Sequence, residues 1–183
     1  MDANVKQLFT PQEAEHLMER LLALPFEFRS YKRYNKKVSV PRGQLAFTTS
    51  GITYNYTQAG GTPTILRFAD YPFVESILEK VNSDTGLGFN TVLMNYYRDG
   101  ADYISAHHDS TVGWDKAVGF ATLSFGAERR FVLKSDKERL VIPHVAGSLI
   151  YLSYEQNQSY THSVPKQLTV KEPRVSMTFR KIV

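Results

Sequence analysis

The chain contains no cysteine. Disulfide frameworks and thiolate metal sites are therefore excluded, and any bound metal must be held by His, Asp or Glu. Histidine is itself scarce, with His16, His107, His108, His144 and His162 the full set. No apolar run approaches the ~18 residues that mark a membrane-spanning helix. The opening residues, MDANVKQLFTPQ, lack the charged-then-apolar pattern of a signal peptide. An intracellular protein without membrane attachment, nuclear or cytoplasmic, is expected. There is no repeat, no low-complexity tract and no linker rich in Pro, Gly or Ser, so a single domain is expected. The most informative absence concerns charge: no Asp or Glu occurs between Phe28 and Ala69.

That stretch carries Arg29, Lys32, Arg33, Lys36, Lys37, Arg42 and Arg67, a local charge of +7 within a chain of net charge +4. The rest of the chain holds 15 basic and 18 acidic residues. A basic N-terminal third on a mildly acidic body suggests a polyanionic partner, nucleic acid above all. A solvated basic face without a partner is the alternative.

A hydrophobic fraction of 42% over 183 residues is enough for a packed core. A helix is predicted from Pro11 to Leu24. Thr10 and Glu13 form a capping-box pair, Pro11 suits the first helical position, and Ala14, Leu17, Met18, Leu21 and Leu22 share one face. A second helix is predicted from Pro72 to Val81, ahead of Gly86 and Gly88. Strands are predicted at Gly51–Tyr56, Phe89–Tyr97, Gly119–Ser124, Arg130–Lys134, Arg139–Ile142, Ser148–Leu152 and Arg174–Lys181. The fold class is mainly β with flanking helices: a sandwich or barrel with two N-terminal helices packed outside.

The segment AHHDS offers His107 and Asp109 in an HxD pattern. On an extended chain they point to one side, about 6.5–7 Å apart at Cα, and His108 points away. His162 could complete three ligands. Two histidines and one carboxylate leave three positions of an octahedral iron(II) open, enough for a chelating 2-oxo acid and O₂. An HxD triplet alone does not define such a site. The C-terminal strand adds to it, because Arg174, Ser176, Thr178 and Arg180 alternate with Val175, Met177 and Phe179. One face is polar and cationic. It either meets water at a sheet edge or lines a site where both arginines lean onto a small diacid, which the planar guanidinium fork suits. In VLMNYYRDG, Asn95 and Tyr97 share a face and could bond the same co-substrate.

Taken in order, NYYRDGADYISAHHDS, TLSFGAERRFVL, GSLIYLS, THSVPK and EPRVSMTFR closely resemble the AlkB family of iron(II)- and 2-oxoglutarate-dependent dioxygenases, many of which repair alkylated nucleic acid bases. The resemblance runs from about Val40 to the C-terminus. It implies a double-stranded β-helix (jelly-roll) core over about 89–183. It also implies that His107, Asp109 and His162 are iron ligands, and that Arg174 binds the distal carboxylate of 2-oxoglutarate, with Asn95, Tyr97, Thr178 and Arg180 completing the pocket. The implied chemistry converts 2-oxoglutarate and O₂ to succinate and CO₂ and hydroxylates an N-alkyl carbon, whose product collapses to an aldehyde and the repaired base. VPRGQ and ITYNYTQAG resemble, more loosely, the family's nucleotide-recognition lid, placed here at about 26–70. By that match Tyr54 and Tyr56 hold a flipped base, with Arg42 and Thr111 also on the substrate side. Tyr34, set among Lys32, Arg33, Lys36 and Lys37, is either a wedge for the vacated gap or an ordinary surface tyrosine. Thr111 stands where many members carry an acid, and Ser176 where asparagine is usual. The base lesion, and DNA as against RNA, stay open, as does a relative's activity on a protein, lipid or small metabolite. A monomer is expected.

Overall fold

A computed structural model describes residues 4–49, 51–52 and 61–183. The first third contains β1 (Asn4–Gln7), helix α1 (Pro11–Leu22), the hairpin β2 (Ser30–Arg33) and β3 (Lys36–Ser39), then β4 (Gly43–Thr48) and β5 (Ile65–Arg67). Helix α2 (Pro72–Thr85) leads into β6 (Thr91–Tyr97), β7 (Ile104–His107), β8 (Phe120–Gly126), β9 (Arg129–Lys134), β10 (Arg139–His144) and β11 (Ser148–Leu152). Short helix α3 (Tyr154–Ser159) precedes β12 (Thr161–Val164) and β13 (Arg174–Arg180).

The strands form a seven-stranded sheet in the order β1-β11-β8-β13-β6-β4-β5, a four-stranded sheet β10-β9-β12-β7, and the separate β2–β3 pair. This is the mainly β, jelly-roll architecture expected. Two strands of the lid segment belong to the large sheet, since β4 pairs with β6 and β5 with β4. Gly126 passes the chain from β8 in one sheet to β9 in the other. Its φ of 79°, and the Pro173 carbonyl only 2.4 Å from where a Cβ would stand, both require glycine.

Alternation along the central strands sorts side chains into two layers. Val175, Met177 and Phe179 of β13 join Val92 and Met94 of β6 and Leu123 and Phe125 of β8 in a core under Met18, Leu21, Val74, Ile77 and Val81 of the two helices. Both helices thus pack outside the large sheet, as predicted. The opposite face looks across to the small sheet, where Phe120, Ile150 and Leu152 meet Phe131, Leu133 and Val164.

Thr10 caps α1 with the full reciprocal box: its hydroxyl accepts from Glu13 N–H and the Glu13 carboxylate accepts from Thr10 N–H. The helix stops at Leu22 rather than Leu24, because Pro25 pushes the residue before it out of the helical region. Helix α2 runs one turn beyond Val81, to a left-handed cap at Gly86. The predicted strand Gly51–Tyr56 falls largely outside the described residues; Gly51 itself is in a turn.

Candidate active site

The two histidines of the HxD…H set lie on neighbouring strands. His107 ends β7 and is the register partner of His162 on β12, with ring centroids 4.3 Å apart. Strand β7 stops at His107, so Asp109 is not presented by strand alternation as the sequence suggested. It reaches the same point from just past the strand end: its Oδ1 is 3.3 Å from His107 Nε2 and 3.5 Å from His162 Nε2. The three donor atoms lie within 4.8 Å of one another, close enough to share one ion.

The protonation pattern suits a cation. His107 Nδ1 donates to the Ser105 carbonyl at 2.8 Å, which leaves the Nε2 lone pair facing the cluster. Burial keeps the His162 imidazole below its ordinary value, only partly offset by Asp109. Burial also opposes ionisation of Asp109, but the Arg180 charge, helped by contacts with the His162 and His107 imidazoles, overrides it and holds the carboxyl well below the usual carboxylate range. Arg180 Nη2 donates to Asp109 Oδ2 at 2.5 Å, leaving Oδ1 toward the histidines. Phe120 and Phe131 flank His162, with centroids at 5.1 and 5.7 Å, and Trp114 covers Arg180.

At the other end of β13, Arg174 is fully buried. Its Nε donates to Ser124 Oγ at 2.8 Å and its Nη2 to His144 Nδ1 at 3.0 Å. His144 can accept because its Nε2–H is spent on the Ser148 carbonyl, 3.1 Å away, and because burial and the Arg174 charge keep it neutral. Burial lowers Arg174 to about 10, so it stays a cation at neutral pH. Its Nη1 is buried and has no hydrogen-bond partner. A buried, unpaired guanidinium nitrogen calls for an acceptor.

One cavity between the sheets joins the two ends. His107, Asp109, His162, Arg174, Thr178 and Arg180 all line it, as do Asn95, Tyr97 and Ser176. The two arginines stand at opposite ends of the cavity rather than side by side: Arg174 faces the Tyr97 end, and Arg180 backs Asp109 at the His/Asp end. A linear diacid lying along the cavity, one carboxylate at Arg174 and the other end at the His/Asp cluster, matches that separation. Asn95 Oδ1 accepts from Arg42 Nε at 2.9 Å and from Gln44 Nε2 at 3.1 Å, which orients its amide nitrogen as the remaining donor. The site therefore fits iron(II) with 2-oxoglutarate.

A second, open groove of about 890 Å³ begins at His107. Tyr31, Val38, Arg42, Tyr103 and His108 contribute to it. Arg42 is thus on the outer side of the cavity wall, buried, with Nη1 3.4 Å from the Tyr103 carbonyl. Thr111 lines neither space; its carbonyl accepts from Trp114 N–H in a turn after the HxD segment. Tyr54 and Tyr56 lie outside the described residues. Sequence reasoning missed Ser124, His144 and Asn157. The first two fix Arg174. Asn157, four residues past the Ser153 cap, hydrogen-bonds the backbone of Asp109. The Ser153–Gln156 capping box was the available signal for its helix.

Two histidines and a carboxylate between the sheets of a jelly roll, sharing one cavity with a buried arginine, make the donor set of a non-haem iron oxygenase site. The chain belongs to the 2OG-Fe(II) oxygenase superfamily, whose model matches residues 3–180, and within it to the AlkB family of Fe(II)- and 2-oxoglutarate-dependent dioxygenases. It is 32% identical over 197 residues to human "DNA oxidative demethylase ALKBH2", an alignment that takes in 100% of this chain and 74% of the human protein. It is 28% identical over 188 residues to human "Alpha-ketoglutarate-dependent dioxygenase alkB homolog 3", covering 93% of this chain and 62% of that protein. The bovine ALKBH2 match spans 56% of that relative's length. Among solved structures, that of OsALKBH1 superposes with a TM-score of 0.60 at 13% identity, over 98% of this chain and 97% of the other. A Pseudomonas putida prolyl-4-hydroxylase gives 0.54 at 13% identity, over 99% and 93%. These two likenesses establish the shared fold.

Proposed function

We propose that the protein oxidatively demethylates N-alkylated bases in DNA or RNA, with His107, Asp109 and His162 holding iron(II), and Arg174, Asn95, Tyr97, Thr178 and Arg180 holding 2-oxoglutarate. Iron bound there supplies the O₂ chemistry that couples decarboxylation of 2-oxoglutarate to hydroxylation of an alkyl carbon. The residues do the rest. Arg180 keeps Asp109 ionised and turned toward the histidines. Arg174, braced by Ser124 and His144, presents one nitrogen to a carboxylate. Phe120, Phe131 and Trp114 exclude water from the buried side of the cluster.

The observation that carries the nucleic acid reading is the hairpin beside the groove. In β2–β3, Lys32 stands opposite Lys37. Like charges directly across a hairpin destabilise it, and a polyanion lying along it removes that repulsion. Tyr31 and Val38 of the same hairpin wall the groove that opens at His107. The two-residue turn, Tyr34–Asn35, has positive φ at both positions, and Tyr34 is 87% exposed at the tip. The hairpin, with Tyr54 and Tyr56, is the recognition lid. Phosphates meet its lysines, and the flipped base enters past Arg42. The enzyme acts as an intracellular monomer; among the described residues no helix is long and apolar enough to cross a membrane.

Single turnovers on methylated DNA and RNA oligonucleotides, read as aldehyde released and base restored, test this. Repair of at least one N-methyl base is expected. Turnover of a protein or metabolite with none on any oligonucleotide would replace this reading with an oxygenase of that other class, one for which Thr111, without the carboxylate many relatives carry there, leaves room.

A further inference from the structure

Asp109 sits in an unusual place for a ligand residue. Strand β7 has ended two residues earlier, so no ladder partner holds its backbone. The pairing of β7 with β12 is also irregular between His162 and Val164. Yet the carboxylate must hold its position against two imidazoles and a guanidinium.

One side chain supplies the missing partner. Asn157 of α3 is fully buried. Its Oδ1 accepts from Asp109 N–H at 3.0 Å, and its Nδ2 donates to the Asp109 carbonyl at 3.0 Å. The amide thus meets both polar groups of one residue's backbone, as a neighbouring strand would. Its own carbonyl accepts from His108 Nδ1–H at 2.6 Å. That bond holds His108 on the groove side of the segment, where it lines the outer space. Asn157 is itself fixed through the main chain: its N–H donates to the Ser153 carbonyl at 3.0 Å, a bond that does not involve the Ser153 side chain. The chain then runs from α3 straight into β12, which carries His162. Asn157 therefore ties the HxD segment to the element that delivers the third ligand.

We infer that Asn157 is a positioning residue for the metal centre: its side-chain amide holds the Asp109 backbone in register with His162, and its carbonyl keeps His108 from competing with His107. The inference rests on the assignment of His107, Asp109 and His162 as metal ligands. Only an amide of this length meets both the N–H and the C=O of Asp109, while the His108 contact uses the main-chain carbonyl of Asn157 and does not depend on its side chain. A carboxylate would set an oxygen against the Asp109 carbonyl and add a buried charge, and alanine would leave a buried N–H and C=O unpaired. Loss of an outer partner of this kind typically weakens metal binding by about 10–100-fold.

The test is a cobalt(II) titration of the metal-free protein without O₂, followed by the d–d absorption band. Wild type, Asn157→Ala, Asn157→Asp and Ser153→Ala are compared, and each is also melted without metal. The expected result is a ten- to hundred-fold weaker cobalt affinity and an altered band in both Asn157 variants. Ser153→Ala, which loosens α3 at its cap without touching the clamp, should melt lower but bind cobalt as wild type does. Failure of wild type itself to bind cobalt would strike the metal-site assignment. Wild-type affinity and band in either Asn157 variant would overturn the inference. So would an equal loss in Ser153→Ala, or absence of a folding transition in both Asn157 variants, since the residue would then hold the helix or the fold rather than the ligand.

Discussion

Arg174 shows how a single residue is prepared for a ligand. Two of its guanidinium nitrogens are bound by Ser124 and His144, and the third is buried and unpaired. Fixing the fork beforehand means that little side-chain entropy is lost on binding a carboxylate. Arg174→Lys should raise the KM for 2-oxoglutarate, because an ammonium cannot reproduce the planar geometry. Arg174→Ala should weaken binding by about 2–5 kcal/mol, as for other buried charge pairs that lose a partner; an unchanged KM in the alanine variant would refute the role. His144 carries a second consequence. Burial, with Arg174 beside it, lowers its pKa well below 6.5, and burial lowers that of His162 as well. Below pH 6.5 the unfolded chain takes up these protons while the folded one resists them. Stability of the metal-free protein should therefore be greatest above 6.5 and fall as pH drops from there toward the lowered folded values. His144→Asn, which keeps an acceptor for Arg174 but cannot titrate, should flatten that fall in melting temperature between pH 7 and 5. An identical slope would show that His144 is not the proton acceptor.

Among the elements, the proposed function assigns binding to the β2–β3 hairpin and chemistry to strand β13. Lys36→Ala with Lys37→Ala should weaken binding to modified and unmodified oligonucleotides alike. It should flatten the dependence of log K on log salt by about 0.7–0.9 for each phosphate that is no longer neutralised. Tyr54→Ala should instead slow turnover on the modified base, with a stacking loss of about 1–3 kcal/mol. Strand β13 was fully legible in the sequence, because Arg174 to Arg180 alternate without a break and the alternation survives burial on both faces. Helix α1 was legible from its cap and stripe. The hairpin was not: its turn, Tyr34–Asn35, adopts positive φ without the glycine that normally announces it. The end of β7 was equally hidden. Nothing in AHHDS marks the strand stopping at His107, because Asp109 is held by Asn157, a contact that no local pattern encodes. Ser124 and His144 escaped notice for the same reason, since their importance comes from where β8 and β10 place them against β13.

At the scale of the molecule, the two sheets contribute different halves of one centre. The small sheet brings His107 and His162 into register, and the large sheet turns the polar face of β13 toward them. Helices α1 and α2 cover the apolar face of that sheet and the small sheet faces the polar one, so β13 is buried on both faces. The ordered motifs that suggested the AlkB family are the pieces this arrangement needs: one strand for the diacid, one turn for the carboxylate ligand, one strand for the distant histidine. Together these pieces form a single Fe(II)- and 2-oxoglutarate-dependent centre. The most direct measurement is succinate formed from 2-oxoglutarate by the purified protein, with and without added Fe(II), beside His107→Ala, Asp109→Ala and His162→Ala. Iron-dependent succinate from wild type and background levels from each variant are predicted; full turnover in all three variants would contradict the assignment.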